Sequence, residues 1–315
     1  MSTNDDSPNP EPDRIMPFDG PDEFPPLSAL VAVDFGAASR PGTNRSVNED
    51  HYFVLKLGRH QETLLSSLTD PSVLEPFKEY AYGIVVADGM NGPNSAGELA
   101  SRLALVTLHH LIQRFGRWNL RVDTRIAAEI MARAERFYRR VDATLLDRNQ
   151  QNEDKPVMRT TLTAVFSGGR DLFFAHVGHS RAYLFRGGAL LRLTRDHTIG
   201  RNQKSKVPMG PLVDVNKGGH DLGHILTDAI GMGGTIGPAI DLERIHLIDS
   251  DLVLVCTNGL TDMVDEEVIG EVMASAESPR QKAGTLVDLA IAMGGDDDVT
   301  AVVAAYHIPE RAPGA

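Results

Sequence analysis

The sequence has a single cysteine, Cys256, so disulfide bonds within the chain are excluded. It lacks any apolar run near the roughly 20 residues that a membrane-spanning helix needs. Its first residues lack the basic start and the apolar stretch of a secretory signal. Basic charge is also in deficit: the 315 residues carry a formal net charge of −12, whereas nucleic-acid binding needs a basic surface. We therefore expect a cytoplasmic protein that binds neither nucleic acid nor a membrane.

The first 27 residues differ in composition from the rest of the chain. They hold seven of the 18 prolines and seven acidic residues, with a single arginine and few large apolar side chains. Such a segment cannot bury enough apolar surface to offset the entropy lost on ordering. The sequence therefore predicts a disordered acidic tail over residues 1–27, one folded domain over 28–309, and a short tail over 310–315.

The hydrophobic pattern changes along the predicted domain. Short apolar or alternating runs, typical of strands, occur at residues 30–37, 51–58, 80–87, 160–168, 171–178, 180–188, 243–248, 251–257 and 299–308. Two long amphipathic helices are predicted between the third and fourth runs, the first opening on a capping box of Ser95 and Glu98. Shorter helices are predicted at about 265–276 and 278–293, and a long surface loop at 198–225. Strands in runs, separated by paired helices, favour an α+β domain with antiparallel sheets.

Acidic residues recur at the ends of the predicted strands. Glu49 and Asp50 precede one apolar run, Asp88 ends another, and Asp262 and Asp297 lie beside two more. Each of them alone could be an ordinary turn former. Carboxylates gathered at one sheet edge would repel one another unless a cation were bound, and oxygen ligands suit Mg²⁺ or Mn²⁺.

The order of these segments along the chain is more specific than any one of them. They read RSVNED (45–50), VADGM (86–90), TTLTA (160–164), VGHSRAY (177–183), LTRDH (193–197), CTNGLTD (256–262) and DDVT (297–300). In this order they resemble the bacterial type 2C (PPM) metal-dependent serine/threonine protein phosphatases, over about residues 29–308. The resemblance implies a four-layer α-β-β-α sandwich of two antiparallel sheets flanked by helices, with two Mg²⁺ or Mn²⁺ ions at one end. It also implies hydrolysis of phosphoserine and phosphothreonine by metal-activated water, a phosphorylated protein as substrate, and a serine/threonine kinase as a candidate partner.

The resemblance also assigns roles to individual residues. Arg45 matches the arginine that binds the substrate phosphate, a task suited to the fork of a guanidinium. Asp88 matches the carboxylate that bridges both metals, so Arg45 and Asp88 are the predicted catalytic residues. The predicted metal ligands are Glu49, Asp50, Asp88, the carbonyl of Gly89, Asn258 and Asp297.

Two positions depart from the family pattern. Asn258 and His179 stand where the family has aspartates, and Asp262 is the third member of that set, so His179 and Asp262 are predicted only as additional ligands. A neutral amide oxygen should bind a cation more weakly than a carboxylate. The alternative function is therefore a catalytically impaired pseudophosphatase that binds a phosphoprotein or a kinase.

The composition of the tail leads to the first test. Deleting residues 1–26 should leave the rate of hydrolysis of a small phosphoester unchanged within about twofold, because a segment without apolar anchors adds nothing to a folded site. Steady-state kinetics on the full and the shortened chain measure this. A large loss of rate would mean that the tail folds onto the site.

Overall fold

The computed structural model describes residues 31–68, 77–90, 96–116, 122–151, 156–199, 225–234 and 237–309. Four predicted features lie outside the described residues, wholly or largely: the acidic tail, the last six residues, Ser95 of the capping box, and the loop at 198–225. None of the described helices is long and apolar enough to cross a membrane.

Ten strands and five helices make up the described chain. The strands are β1 Ala32–Arg40, β2 Asp50–Gln61, β3 Phe77–Asp88, β4 Leu162–Gly168, β5 Asp171–Val177, β6 Arg181–Arg186, β7 Ala189–Arg192, β8 Asp241–His246, β9 Leu252–Cys256 and β10 Val299–His307. The helices are α1 Gly97–Phe115, α2 Thr124–Gln150, α3 Asn258–Thr261, α4 Glu266–Ala274 and α5 Pro279–Ala292.

The strands form two antiparallel five-stranded sheets. One has the order β1-β10-β9-β6-β7 and the other the order β2-β3-β4-β5-β8. Helices α1 and α2 pack on the outer face of the second sheet, and α4 and α5 pack on the outer face of the first. The α+β prediction of two antiparallel sheets flanked by helices is therefore confirmed.

The burial of the strands follows from this layering. Every residue of β5 is buried, because the core between the sheets covers one of its faces and α2 covers the other. Helix α2 turns Tyr138, Val141 and Leu145 toward the sheet, and the Tyr138 hydroxyl donates to the Ala175 carbonyl of β5 at 2.7 Å. This hydrogen bond satisfies the polar end of an otherwise apolar contact.

Two short elements were not predicted, and one helix begins later than expected. Strand β7 and helix α3 have only four residues each, too few to show a period in the sequence. Helix α1 begins at Gly97 rather than at Ser95, and its N-cap residue is Ala96, which makes no side-chain capping hydrogen bond.

The topology brings several chain ends to one edge of the sandwich. Asp50, the first residue of β2, pairs directly with Asp88, the last residue of β3. Strand β9 ends at Cys256, and β10 begins at Val299. The segments that leave the sheets at these four points carry Glu49, Gly89, Asn258 and Asp297.

Candidate active site

Asp50 and Asp88 form the buried centre of this edge. They are Cα partners in the β2–β3 ladder, and their exposed fractions are only 5% and 7%. The Thr257 hydroxyl donates to Asp50 Oδ2 at 2.8 Å from the other sheet. The Asp88 backbone N–H donates to the Thr161 hydroxyl oxygen at 3.1 Å, and its carbonyl accepts from the Thr160 hydroxyl at 2.8 Å. Threonine hydroxyls from two strand ends, the end of β9 and the start of β4, therefore fix the Asp50 carboxylate and the Asp88 main chain.

Both carboxyl groups are poor acids in this setting. Burial raises the pKa of Asp50 well above its ordinary value, and the hydroxyls of Thr300 and Thr257 oppose the shift. Burial also raises the pKa of Asp88, and the negative charge of Asp50 adds to that rise. Two adjacent buried carboxylates favour protonation or a bound cation.

Glu49 and Gly89 lie against the start of α1. The Gly89 N–H donates to the Glu49 carbonyl at 3.2 Å, and the Ser101 hydroxyl of α1 donates to the same oxygen at 2.5 Å. A Cβ at Gly97 would lie 2.8 Å from Glu49 Oε2, and a Cβ at Gly89 would overlap the Gly97 carbonyl. Burial raises the pKa of Glu49, while the charge of Arg45 lowers it. Only glycine at both positions allows the helix to begin this close to the strand edge.

Asp298 organises the loop that precedes β2, a role that the sequence did not reveal. Its Oδ1 accepts from the Gly42 N–H at 3.0 Å, and its Oδ2 accepts from the Glu49 N–H at 2.8 Å. The residue is almost fully buried. The only signal for it was its place beside Asp297 in a run of three aspartates, and spacing alone could not separate their roles.

Arg45 lies among these carboxylates instead of pointing away from the protein. Its Nη2 is 2.6 Å from Asp297 Oδ1, and its Nη1 is 3.2 Å from Asp298 Oδ2 and 3.8 Å from Glu49 Oε2. Its Nε donates to the Asp296 carbonyl at 2.9 Å. The predicted phosphate-binding arginine and the predicted ligands therefore share one cluster.

Asn258, the first residue of α3, turns its two amide atoms in different directions. Its Nδ2 donates to Asp262 Oδ2 at 2.9 Å and to Asp297 Oδ2 at 3.3 Å. Its Oδ1 is buried and accepts no hydrogen bond from the described residues. Because the two acidic neighbours hold the nitrogen, the oxygen is left for a different partner.

His179 lies at the other side of Asp88. Its Nδ1 is 3.9 Å from Asp88 Oδ2, and the side chain is 15% exposed. The His176 Nε2 lies 3.0 Å from the Gly178 carbonyl in the turn that carries His179, and the His176 and His197 ring centroids are 5.0 Å apart. Burial lowers the pKa of His176 to about 3, so this supporting ring is neutral.

The predicted site residues thus lie close together, but their side chains do not form a complete set of metal ligands. Among the described residues, no three His, Cys, Asp or Glu side chains are arranged to hold a metal ion by themselves. However, Glu49 Oε2, Asp50 Oδ1 and Asn258 Oδ1 are buried without a hydrogen bond from the described chain. Buried oxygens of this kind are costly unless something binds them. These three atoms are all oxygens, the type of ligand that a hard divalent cation prefers.

Three comparisons place this geometry among known proteins. The family described as Protein phosphatase 2C matches residues 94–203. Protein phosphatase PhpP of Streptococcus pneumoniae is 31% identical over 226 residues, which are 71% of this chain and 85% of that protein. Serine/threonine protein phosphatase PstP of Mycobacterium tuberculosis is 30% identical over 221 residues, or 70% of this chain. The aligned part spans only 40% of the length of that mycobacterial relative.

A solved structure shows the same arrangement of layers. The catalytic domain of a phosphatase PstP, in complex with two manganese ions, has a TM-score of 0.63 and 26% identity to this chain. The match covers 88% of this chain and 99% of that domain.

The environment of Asp88 predicts the effect of neutralising it. Asp88→Asn should leave the melting temperature in excess chelator unchanged or raise it, because it removes a buried charge that neighbouring carboxylates repel. The same change should lower the rate of phosphoester hydrolysis by at least about a thousandfold, since a metal centre supplies several kcal/mol of transition-state stabilisation. Thermal melts and initial rates measure the two effects. Retained turnover would contradict the role assigned to Asp88.

Proposed function

Because the chain belongs to the protein phosphatase 2C (PPM) family, we propose that it is a metal-dependent phosphatase that hydrolyses phosphoserine and phosphothreonine in proteins. The observation that supports this function best is the convergence of Asp50, Asp88 and Asp297 with Arg45 at one edge of the sandwich. A partner kinase and a cytoplasmic location remain predictions from the sequence.

The proposed ligands are those that the sequence indicated. Asp88 and Asp50 would hold divalent cations at the buried end of the site, with Glu49, Asp297, Asn258 and the carbonyl of Gly89 around them. Two bound Mg²⁺ or Mn²⁺ ions would supply an activated water and neutralise charge on the phosphoryl group. His179 and Asp262 would at most add to this set.

The chain's own residues would then orient the substrate. The Arg45 guanidinium can pair with two phosphate oxygens at once, which fixes the phosphoryl group and stabilises charge as it develops. Its anchoring by Asp298 and by the Asp296 carbonyl limits the positions that the fork can take. The residue after Gly89 is Met90, whose thioether has no acidic proton to donate, so the leaving group would take its proton from water.

One observation favours the second candidate, a pseudophosphatase. Asn258 supplies a neutral amide where the family pattern has an aspartate, so it contributes no charge to cation binding. The buried oxygens without hydrogen bonds favour the active enzyme, because such atoms are costly to bury unless a bound cation contacts them.

Metal dependence is the direct test of the proposal. Hydrolysis of a phosphothreonine peptide should be absent in excess chelator and should return on addition of Mn²⁺ or Mg²⁺, because the bound cations are proposed to activate the attacking water. Release of inorganic phosphate is the measurement, and Asp88→Asn protein is the matched control for a contaminating phosphatase. Full activity without divalent metal would rule out the acidic edge as the catalytic centre.

Asn258 separates the two candidate functions. Asn258→Asp adds a charge beside the proposed cation and should tighten Mn²⁺ binding by roughly tenfold, equal to about 1.4 kcal/mol. It should also lower the melting temperature in excess chelator, because Asp262 and Asp297 lose their amide donor and face a third carboxylate. Calorimetry and thermal melts with and without Mn²⁺ measure both effects.

The outcomes have distinct meanings. An active wild type with at least equal turnover in the variant supports the phosphatase. An inactive wild type whose variant gains activity supports the pseudophosphatase. Weaker Mn²⁺ binding by the variant would show that Asn258 does not contact the metal.

A further inference from the structure

The Arg45 guanidinium is held by three consecutive residues of the turn before β10, the acidic turn 296–298. Nε donates to the Asp296 carbonyl, Nη2 pairs with Asp297 and Nη1 pairs with Asp298. The closest of these contacts, at 2.6 Å, is the one to Asp297. Asp297 is also one of the proposed metal ligands.

Both carboxylate oxygens of Asp297 already accept hydrogen bonds from the protein. Oδ1 forms an ion pair with the Arg45 Nη2 at 2.6 Å and accepts a hydrogen bond from the backbone N–H of Asp298 at 2.9 Å. Oδ2 receives the Asn258 Nδ2 at 3.3 Å. By contrast, Asp50, Glu49 and Asn258 each keep one buried oxygen without a hydrogen bond from the described residues. A cation can therefore reach those three directly, but it must compete for Asp297.

The two aspartates that hold Arg45 differ in their freedom to move. The Asp298 side chain is 1% exposed and is also fixed by the N–H groups of Gly42 and Glu49. The Asp297 side chain is 33% exposed. A rotation of Asp297 toward a cation would therefore leave the Asp298 and Asp296 contacts of Arg45 intact.

We propose that Arg45 and a divalent cation compete for Asp297, so that metal binding and phosphate recognition are coupled through this one carboxylate. The cation draws Asp297 away from Arg45 and thereby frees the Nη2 edge of the guanidinium for a substrate phosphate. Asp298 and the Asp296 carbonyl keep the rest of the fork in place. This inference rests on the proposed metal-dependent function.

The coupling predicts a gain in metal affinity when Arg45 is neutralised. Arg45→Gln should tighten Mn²⁺ binding by about tenfold, within the usual range for two coupled sites. Calorimetric titration with MnCl₂ alone, without substrate, measures the affinity independently of turnover.

Removing a positive charge near the site weakens the repulsion of a cation and so raises its affinity even if Arg45 and the cation share no ligand. The control variant must therefore carry the same change in charge. Arg159 is exposed and lies beside Thr160, which pairs with Gly89 at the same edge. Arg159→Gln should tighten Mn²⁺ binding by no more than about twofold, because an exposed charge is screened by salt.

A second variant removes the effect of charge altogether. Arg45→Lys keeps the positive charge, but a single ammonium group cannot reproduce the planar fork that contacts three acceptors. It should bind Mn²⁺ more tightly than the wild type, by about threefold, as expected for partial loss of a coupling of this size. It also serves as the test variant if Arg45→Gln does not fold, as judged by circular dichroism.

The results separate this inference from the function on which it rests. Tightening in both Arg45 variants, beyond that of Arg159→Gln, supports the competition. In a second outcome, the wild-type protein binds Mn²⁺ and hydrolyses the peptide, but the Arg45 variants bind Mn²⁺ no more tightly than Arg159→Gln does. That outcome overturns the proposed competition for Asp297 and leaves the proposed phosphatase function intact. Wild-type protein that neither binds Mn²⁺ nor turns over overturns the proposed function first.

Discussion

The hydrogen bond from the Thr257 hydroxyl to Asp50 joins the two sheets at the edge where the candidate site lies. Asp50 belongs to the second sheet and Thr257 follows the last residue of β9 in the first, so the contact sets the spacing of the layers there. The Thr257 oxygen also accepts the Thr300 N–H at 2.9 Å, which fixes the start of β10. Because Asp88 is paired with Asp50 in the ladder, its position depends on the same contact.

A second set of contacts attaches the loop before β2 to the start of β10. Gly42, Arg45 and Glu49 all donate to Asp298, and the Thr43 hydroxyl donates to the Gly295 carbonyl at 2.8 Å. The loop has no regular secondary structure, so these long-range contacts define its shape. A buried carboxylate is costly unless charged or N–H donors surround it, and here the donors are supplied by the loop that it organises.

The sequence predicted those parts of this arrangement that depend on local patterns of residues along the chain. Asp50 and Asp88 could be recognised because each adjoins an apolar strand, and Arg45 because of its place in an ordered series of motifs. Asp298 and Thr257 could not be assigned roles, since their partners lie 249 and 207 residues away along the chain. The contact of Gly97 with Gly89 was missed for the same reason: only the fold shows that two backbones meet there. The roles of the predicted ligands stay predictions.

The glycines at the start of α1 have a mechanical consequence. With no side chain between Gly89 and Gly97, the backbone of a 19-residue helix rests directly on the strand end that carries Asp88. Close-packed atoms transmit displacement and leave no soft layer to absorb it. A push on the exposed face of α1, where Leu99 and Val106 reach solvent, would therefore shift the Gly89 carbonyl and the Glu49 side chain together. A displacement of the outer helix would in this way reach the edge that carries the candidate site.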